Sequence, residues 1–209
     1  MRDDLNLKLL QDRTHVDSNR EESPVFVQIE ISPDENTKIK QVDHHWCLSI
    51  DCSASMDGDK MEQAKTAAIN LVRALPSDDL VSIVTFESIA EEILAPKPAF
   101  ERQYIESTIN AIDIGRATDM YEGISLAFSK PIARVQQRSP DITNTMLLIT
   151  DGDPTIGKTD VSDFVQLAKE VRNGGVSLDT VGIGDEYGQN EEHAQLLRQI
   201  AECGGGKWE

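Results

Sequence analysis

Positive charge is scarce in this chain. Only 20 Lys and Arg stand against 37 Asp and Glu, a formal net charge of −17. Phosphate contacts need clustered Lys and Arg, so this balance argues against nucleic acid as a partner. It argues equally against docking on an anionic membrane surface. Long apolar runs are missing too, since none approaches the ~20 residues that span a bilayer. The opening MRDDLNLKLL has mixed charge and no long apolar stretch, so no export signal is expected. Cysteine is limited to Cys47, Cys52 and Cys203. Cys47 and Cys52 would face opposite sides of one strand, about 16 Å apart at ~3.3 Å per residue, too far to bridge. An odd count without a disulfide framework points to a reducing compartment, and a cytoplasmic location is the expectation.

What is present is regular. With 209 residues, 39% of them hydrophobic, the chain can bury the core of one large α/β domain or two very small ones. Residues 1–42 read as an N-terminal arm, polar and loose or partly helical up to residue 23. It carries one extra strand at about 24–32, within SPVFVQIEISP. From residue 43 onward, strands alternate with helices. Strands are expected at 46–51, 80–86, 89–94, 145–150 and 176–184, the third a short edge strand ending at Pro96. Helices are expected at 59–75, 100–112, 119–136, 160–173 and 190–203, from apolar residues at helical spacing. Lys207-Trp208-Glu209 looks like the start of one more strand. This alternation predicts a doubly wound, mostly parallel sheet with helices on both faces and one short antiparallel edge strand. In such sheets, ligands bind outside the carboxyl ends of the strands, where strand order reverses.

Two apolar strands end in an aspartate, at Ile50-Asp51 and Thr150-Asp151. Asp51 opens the segment DCSAS, which places Ser53 and Ser55 at alternate positions. Thr118 stands at the head of a helix in GRATDMYEG. Asp51, Ser53, Ser55, Thr118 and Asp151 therefore form a candidate set of two carboxylates and three hydroxyls. All-oxygen donors without imidazole or thiolate suit a hard cation, Mg²⁺ or Mn²⁺ before the larger Ca²⁺.

These residues carry a resemblance. DCSAS is similar to the D-x-S-x-S loop of von Willebrand factor type A domains, the module shared with integrin I domains. Thr118 and Asp151, in LLITDGDPT, fall at the other two positions of its metal-ion-dependent adhesion site, in the expected chain order. The resemblance covers roughly residues 43–209. It implies a Rossmann-like fold with a last strand and helix beyond Glu209, and a non-enzymatic module. It also implies that Ser53 and Ser55 bind the metal directly. Asp51 and Asp151 would act largely through water and by hydrogen-bonding those serines, and Thr118 directly or through water. Neutral hydroxyls would leave the cation under-neutralised, so a protein partner supplying an Asp or Glu could complete its shell, within an intracellular assembly.

Rival readings exist for the same residues. Asp51, Ser53 and Ser55 could cap the following helix, and Thr118 resembles an N-cap. Asp51, Ser53, Ser55, Asp57 and Glu62 also match an EF-hand register, but Met56 stands where the loop needs Gly. A metal-dependent, phosphatase-like hydrolase could use the same two Asp with Lys60 or Arg116, although no nucleophile–acid pair is visible. His44, His45 and Cys47 match no four-ligand zinc spacing and read as an exposed loop entering a strand. His193 reads as a helix-surface residue. Asp57, Asp59, Asp119 and Asp153 read as solvated loop and helix N-terminal charge around the site, or as groups that tune its ion affinity.

Overall fold

The computed structural model of the chain describes residues 5–11, 27–33, 43–184 and 191–209. The chain divides into two units, Met1–Gln41 and Val42–Glu209. The first holds β1 (Leu5–Gln11) and β2 (Val27–Pro33), paired antiparallel with Leu7 opposite Ile31 and Leu9 opposite Ile29. The arm therefore has two strands rather than one, and Leu5–Gln11 is neither loose nor helical. Leu5, Leu7 and Leu9 recur at period two, but Leu10 beside Leu9 hides that alternation in a short window. Residues 24–26 of the expected strand lie outside the described residues.

The second unit begins with β3 (His44–Asp51) and α1 (Asp59–Ala74), then β4 (Leu80–Phe86) and β5 (Ala90–Pro98). Next come α2 (Arg102–Asn110), α3 (Met120–Ala127), α4 (Ala133–Arg138) and β6 (Thr143–Thr150). α5 (Val161–Asn173), β7 (Val176–Gly182), α6 (Glu191–Gly204) and β8 (Gly205–Trp208) complete it. The strand order is β5-β4-β3-β6-β7-β8, parallel except for the antiparallel edge strand β5. β5 is longer than expected. Pro96 does not end it, because the register slips between Leu94 and Lys97, and an edge strand tolerates a missing N–H. The strand expected to start at Lys207-Trp208-Glu209 is β8, which begins at Gly205 and pairs with β7. The helix expected over 119–136 runs without a gap from α3 to α4 through a wide π turn at Phe128–Ile132. Pro131 lies in that turn and cannot donate to the helical ladder. No helix among the described residues is long and apolar enough to cross a membrane.

Each central strand is buried on both faces, as its near-continuous apolar sequence requires. One face packs Leu48, Ile50, Ile83 and Ile149 against Met61, Ala64, Ala68 and Val72 of α1 and Ile105 and Ile109 of α2. The other packs Phe86, Met146 and Leu148 against Met120 and Ile124 of α3, Phe164 of α5 and Ile200 of α6. Cys47 belongs to the second layer and Cys52 to the first, so the two thiols face apart and stay free. Burial pushes their pKa values up to about 12 and about 11, which keeps both as unreactive thiols. Gly123 sets how closely α3 approaches the sheet: a Cβ there would lie 2.5 Å from the Phe86 ring. Gly123→Val is expected to destabilise the fold by about 1–3 kcal/mol through overpacking, read as a lower urea midpoint at unchanged slope.

His44 and His45 are not in an exposed loop. They are the first residues of β3, at the end opposite Asp51. His44 stacks on Trp46 with ring centroids 4.6 Å apart. His45 is fully buried between Asn144 Oδ1, 2.8 Å from Nδ1, and Ser82 Oγ, 2.9 Å from Nε2. An imidazole placed this way is a satisfied core residue and no zinc ligand. Burial lowers its pKa to about 4.

Candidate metal centre

β3 and β6 lie side by side in the middle of the sheet, and the chain winds outward from them in opposite directions. Their carboxyl ends therefore open the crevice where doubly wound sheets bind ligands. Asp51 is the last residue of β3 and is fully buried. Its Oδ1 accepts the Ser53 N–H at 2.9 Å, and its Oδ2 accepts the Thr150 hydroxyl at 2.5 Å. Burial pushes its carboxyl pKa up, against those hydrogen bonds. Thr150 also accepts the Gly152 N–H at 3.0 Å, so one hydroxyl ties Asp51 to the turn that carries Asp151. Gly152 makes that turn at φ 82, a conformation that suits glycine.

After Asp51 the chain enters a short 3-10 turn, Ala54–Met56. The turn brings the Ser53 and Ser55 hydroxyls within 3.1 Å of each other, Ser53 buried and Ser55 open to solvent. These residues do not cap α1. Its N-cap is Gly58, at φ 78, with no side-chain cap bond. The EF-hand arrangement is also absent, since a strand precedes the loop where a helix would be needed.

Thr118 does not cap α3. That role belongs to Asp119, whose carboxylate accepts the Glu122 N–H at 3.0 Å. The Thr118 side chain is thus not spent on the helix end, and its backbone is clamped from the other side. Its N–H donates to Thr155 Oγ1 at 2.9 Å, and its carbonyl accepts the N–H groups of Thr155 and Ile156 at 3.0 and 3.2 Å. The loop after Asp151 therefore holds the loop bearing Thr118. That loop is held to the serine turn as well, Gly115 N–H donating to the Cys52 carbonyl at 2.6 Å and Ala54 N–H to the Arg116 carbonyl at 3.2 Å. Glu87 braces it from the β4–β5 turn, accepting the Arg116 N–H at 3.0 Å and the Ser88 hydroxyl at 2.7 Å. All five candidate residues thus lie on three loops stitched together by backbone hydrogen bonds.

Thr150, Thr155 and Glu87 are site-building residues that sequence reading overlooks. Thr150 and Thr155 carry a weak signal, being hydroxyl residues inside the TDGDPT segment next to Asp151. Glu87 carries none, because it acts on a loop 29 residues away.

Asp151 follows β6, and its side chain is only 7% exposed. Oδ2 accepts the Lys60 ammonium at 2.8 Å. Oδ1 is buried and has no hydrogen-bond partner among the described residues. A buried carboxylate oxygen without a partner costs free energy, and a cation or a water would relieve it. No group of three or more His, Cys, Asp or Glu among the described residues could hold a metal; the candidate set offers two carboxylates and three hydroxyls. Ser55, Lys60 and Asp151 line a cleft of about 690 Å³, together with Asp153, His193 and Trp208. His193 reaches Asp153 at 3.5 Å and is partly covered, rather than a free surface residue. Asp57 and Asp59 are exposed, and Asp57 receives the Gly58 N–H.

A family model described as the von Willebrand factor type A domain matches residues 47–207. An uncharacterised protein of Synechocystis, sll0103, is 26% identical over 190 residues, 91% of this chain and 43% of that protein. The chain thus spans less than half the length of that relative. Among solved structures, a von Willebrand factor type A protein from Catenulispora acidiphila superposes with a TM-score of 0.68 at 17% identity. It covers 99% of this chain and 45% of its own. Proximal thread matrix protein 1 of the mussel byssus, solved with a zinc-occupied adhesion-site motif, superposes with a TM-score of 0.60 at 19% identity. The shares covered are 77% and 41%. These two likenesses bear on the fold.

Proposed function

Because the chain belongs to the von Willebrand factor type A family, whose domains are generally metal-dependent protein-interaction modules, we propose that it binds a divalent cation at the carboxyl ends of β3 and β6 and through it an acidic side chain of a protein partner. The observation that carries this reading is the buried, unpartnered Oδ1 of Asp151 in the cleft that Ser55 lines. The Ser53 and Ser55 hydroxyls would hold the ion directly, and Thr118 directly or through water. Asp51 and Asp151 would act mainly through water and by fixing their neighbours. Mg²⁺ suits these hard oxygen donors, with Mn²⁺ and Ca²⁺ as alternatives. When bound, the ion supplies an open coordination position for one carboxylate oxygen of the partner. The chain's own residues do the rest. Thr150 keeps Asp51 in place, and Thr155 keeps Thr118 in place.

Local attraction to the ion must outweigh the repulsion of an acidic ligand by an acidic protein, which salt screens beyond ~8 Å. Binding rather than catalysis is proposed, because the two Asp are engaged in neutralising and orienting neighbours rather than paired as nucleophile and acid. The proposed setting is a reducing one inside the cell, supported by three free cysteines.

Thr118→Ala separates the roles. It is expected to weaken capture of an acidic peptide about tenfold or more while changing Mn²⁺ affinity by a few-fold at most, since only one of several ion contacts is lost. Titration calorimetry of both ligands reads this, and equal loss of both would sink the division of roles.

A further inference from the structure

Lys60 is placed against the helix dipole. It lies in the first turn of α1, beside Asp59 and Glu62, where the helix dipole disfavours a cation. Gly58, which precedes that turn, offers no side-chain cap to offset it. The Lys60 side chain instead crosses 91 residues of sequence separation to Asp151 Oδ2, at 2.8 Å. The pair is unequal: the Asp151 side chain is 7% exposed and that of Lys60 38%. An uncompensated buried carboxylate is costly, so the ammonium neutralises a charge that has no other counter-ion among the described residues. The other oxygen of that carboxylate, Oδ1, remains without a partner.

The same carboxylate is the one a divalent ion would draw on. Two cations a few ångströms apart repel strongly in a partly desolvated cleft. We infer that Lys60 is a tethered counter-ion exchanged for the divalent cation: it holds Asp151 in the metal-free protein and leaves when the ion arrives. This rests on the metal-binding reading above. The exchange lowers the apparent affinity of the site, because each ion that enters must displace an ammonium already in place. It also turns Lys60 outward into a cleft lined by Asp153 and His193, so its exposure reports on the state of the site.

Two measurements on the whole chain test this. The first is calorimetric titration of Mn²⁺ into metal-stripped wild type and Lys60→Met, which keeps an unbranched stem and removes the charge. The variant is expected to bind about tenfold more tightly. The second needs no variant. The acetylation rate of Lys60 in the wild type, read by peptide mass spectrometry, is expected to rise several-fold on adding Mg²⁺. Lys169, exposed on α5, serves as the unchanged reference. If the wild type binds Mn²⁺ and Lys60→Met binds no more tightly, the exchange is wrong while the metal site stands. A Lys60 labelling rate that ignores Mg²⁺ in a protein shown to bind it overturns the exchange in the same way. If neither chain binds Mn²⁺, the metal reading itself fails and the exchange falls with it.

Discussion

Asp151→Ala is expected to abolish saturable binding of Mg²⁺ and Mn²⁺ while leaving the metal-free protein folded. Loss of a group that orients and charges a metal site costs about 10–100-fold in affinity, and here the lost group also carries half of the site's carboxylate charge. The fold should tolerate the change because the side chain contributes little to it. Oδ1 has no partner, so its removal relieves a buried unsatisfied atom worth about 1–3 kcal/mol. The lost ion pair to a partly exposed Lys60 offsets only about 0–1 kcal/mol of that gain. Calorimetry on metal-stripped protein should show one saturable site in the wild type and none in the variant. Thermal melts in chelator should agree to within a few degrees. Added Mg²⁺ should then raise the melting temperature of the wild type alone, because only a folded state that binds the ion is stabilised by it. Equal binding by both chains would remove Asp151 from the site and with it the main support for the proposed function.

Acidification from pH 7 to pH 4 should cost the fold about 3 kcal/mol through one residue, His45. Its imidazole lies fully buried between Asn144 and Ser82, and its pKa falls from 6.5 to about 4. Desolvation is the main cause, and neighbouring His44 adds to it. The Asn144 amide N–H donates to the Ile142 carbonyl, so its Oδ1 faces His45 and calls for a proton on Nδ1, leaving Nε2 to accept from Ser82. Because the folded pKa is depressed, the unfolded chain takes up the proton first as pH drops. The neutral imidazole's full stability is present above pH 6.5, is lost progressively down to about pH 4, and changes little below that. The fall from 6.5 to about 4, at about 1.36 kcal/mol per pH unit, sets the magnitude of roughly 3 kcal/mol. His44, whose pKa burial also lowers, adds in the same direction. Urea denaturation at closely spaced pH values reads the effect. His45→Gln should flatten the curve between pH 6.5 and 4, and a variant that keeps the wild-type slope would assign the acid sensitivity elsewhere.

The candidate metal-site residues stand out in the sequence because they sit where local patterns stop. The apolar run of β3 ends at Asp51 and that of β6 at Thr150, so both aspartates had to lie at one edge of a parallel sheet. The alternate spacing of Ser53 and Ser55 brings their hydroxyls together just beyond Asp51. Other features misled for equally local reasons. Thr118 looks like an N-cap, yet the cap is its neighbour Asp119, whose carboxylate accepts the Glu122 N–H. His44-His45 looks like the end of a polar loop, yet both lie in β3. Their partners Asn144, Thr145 and Ser82 come from other strands and satisfy the rings inside the sheet.

By itself, then, the sequence determined the α/β layering, the two strand-end aspartates and the serine turn, since hydrophobic periodicity and turn chemistry act within a few residues. Only the tertiary structure decided how the three loops interlock. It placed Thr155 against Thr118, Glu87 against Arg116, Thr150 against Asp51, and Lys60 against Asp151. Those contacts join residues 29 to 99 positions apart. They form only once β3, β4 and β6 lie side by side, because strand pairing brings the loop ends within hydrogen-bonding reach.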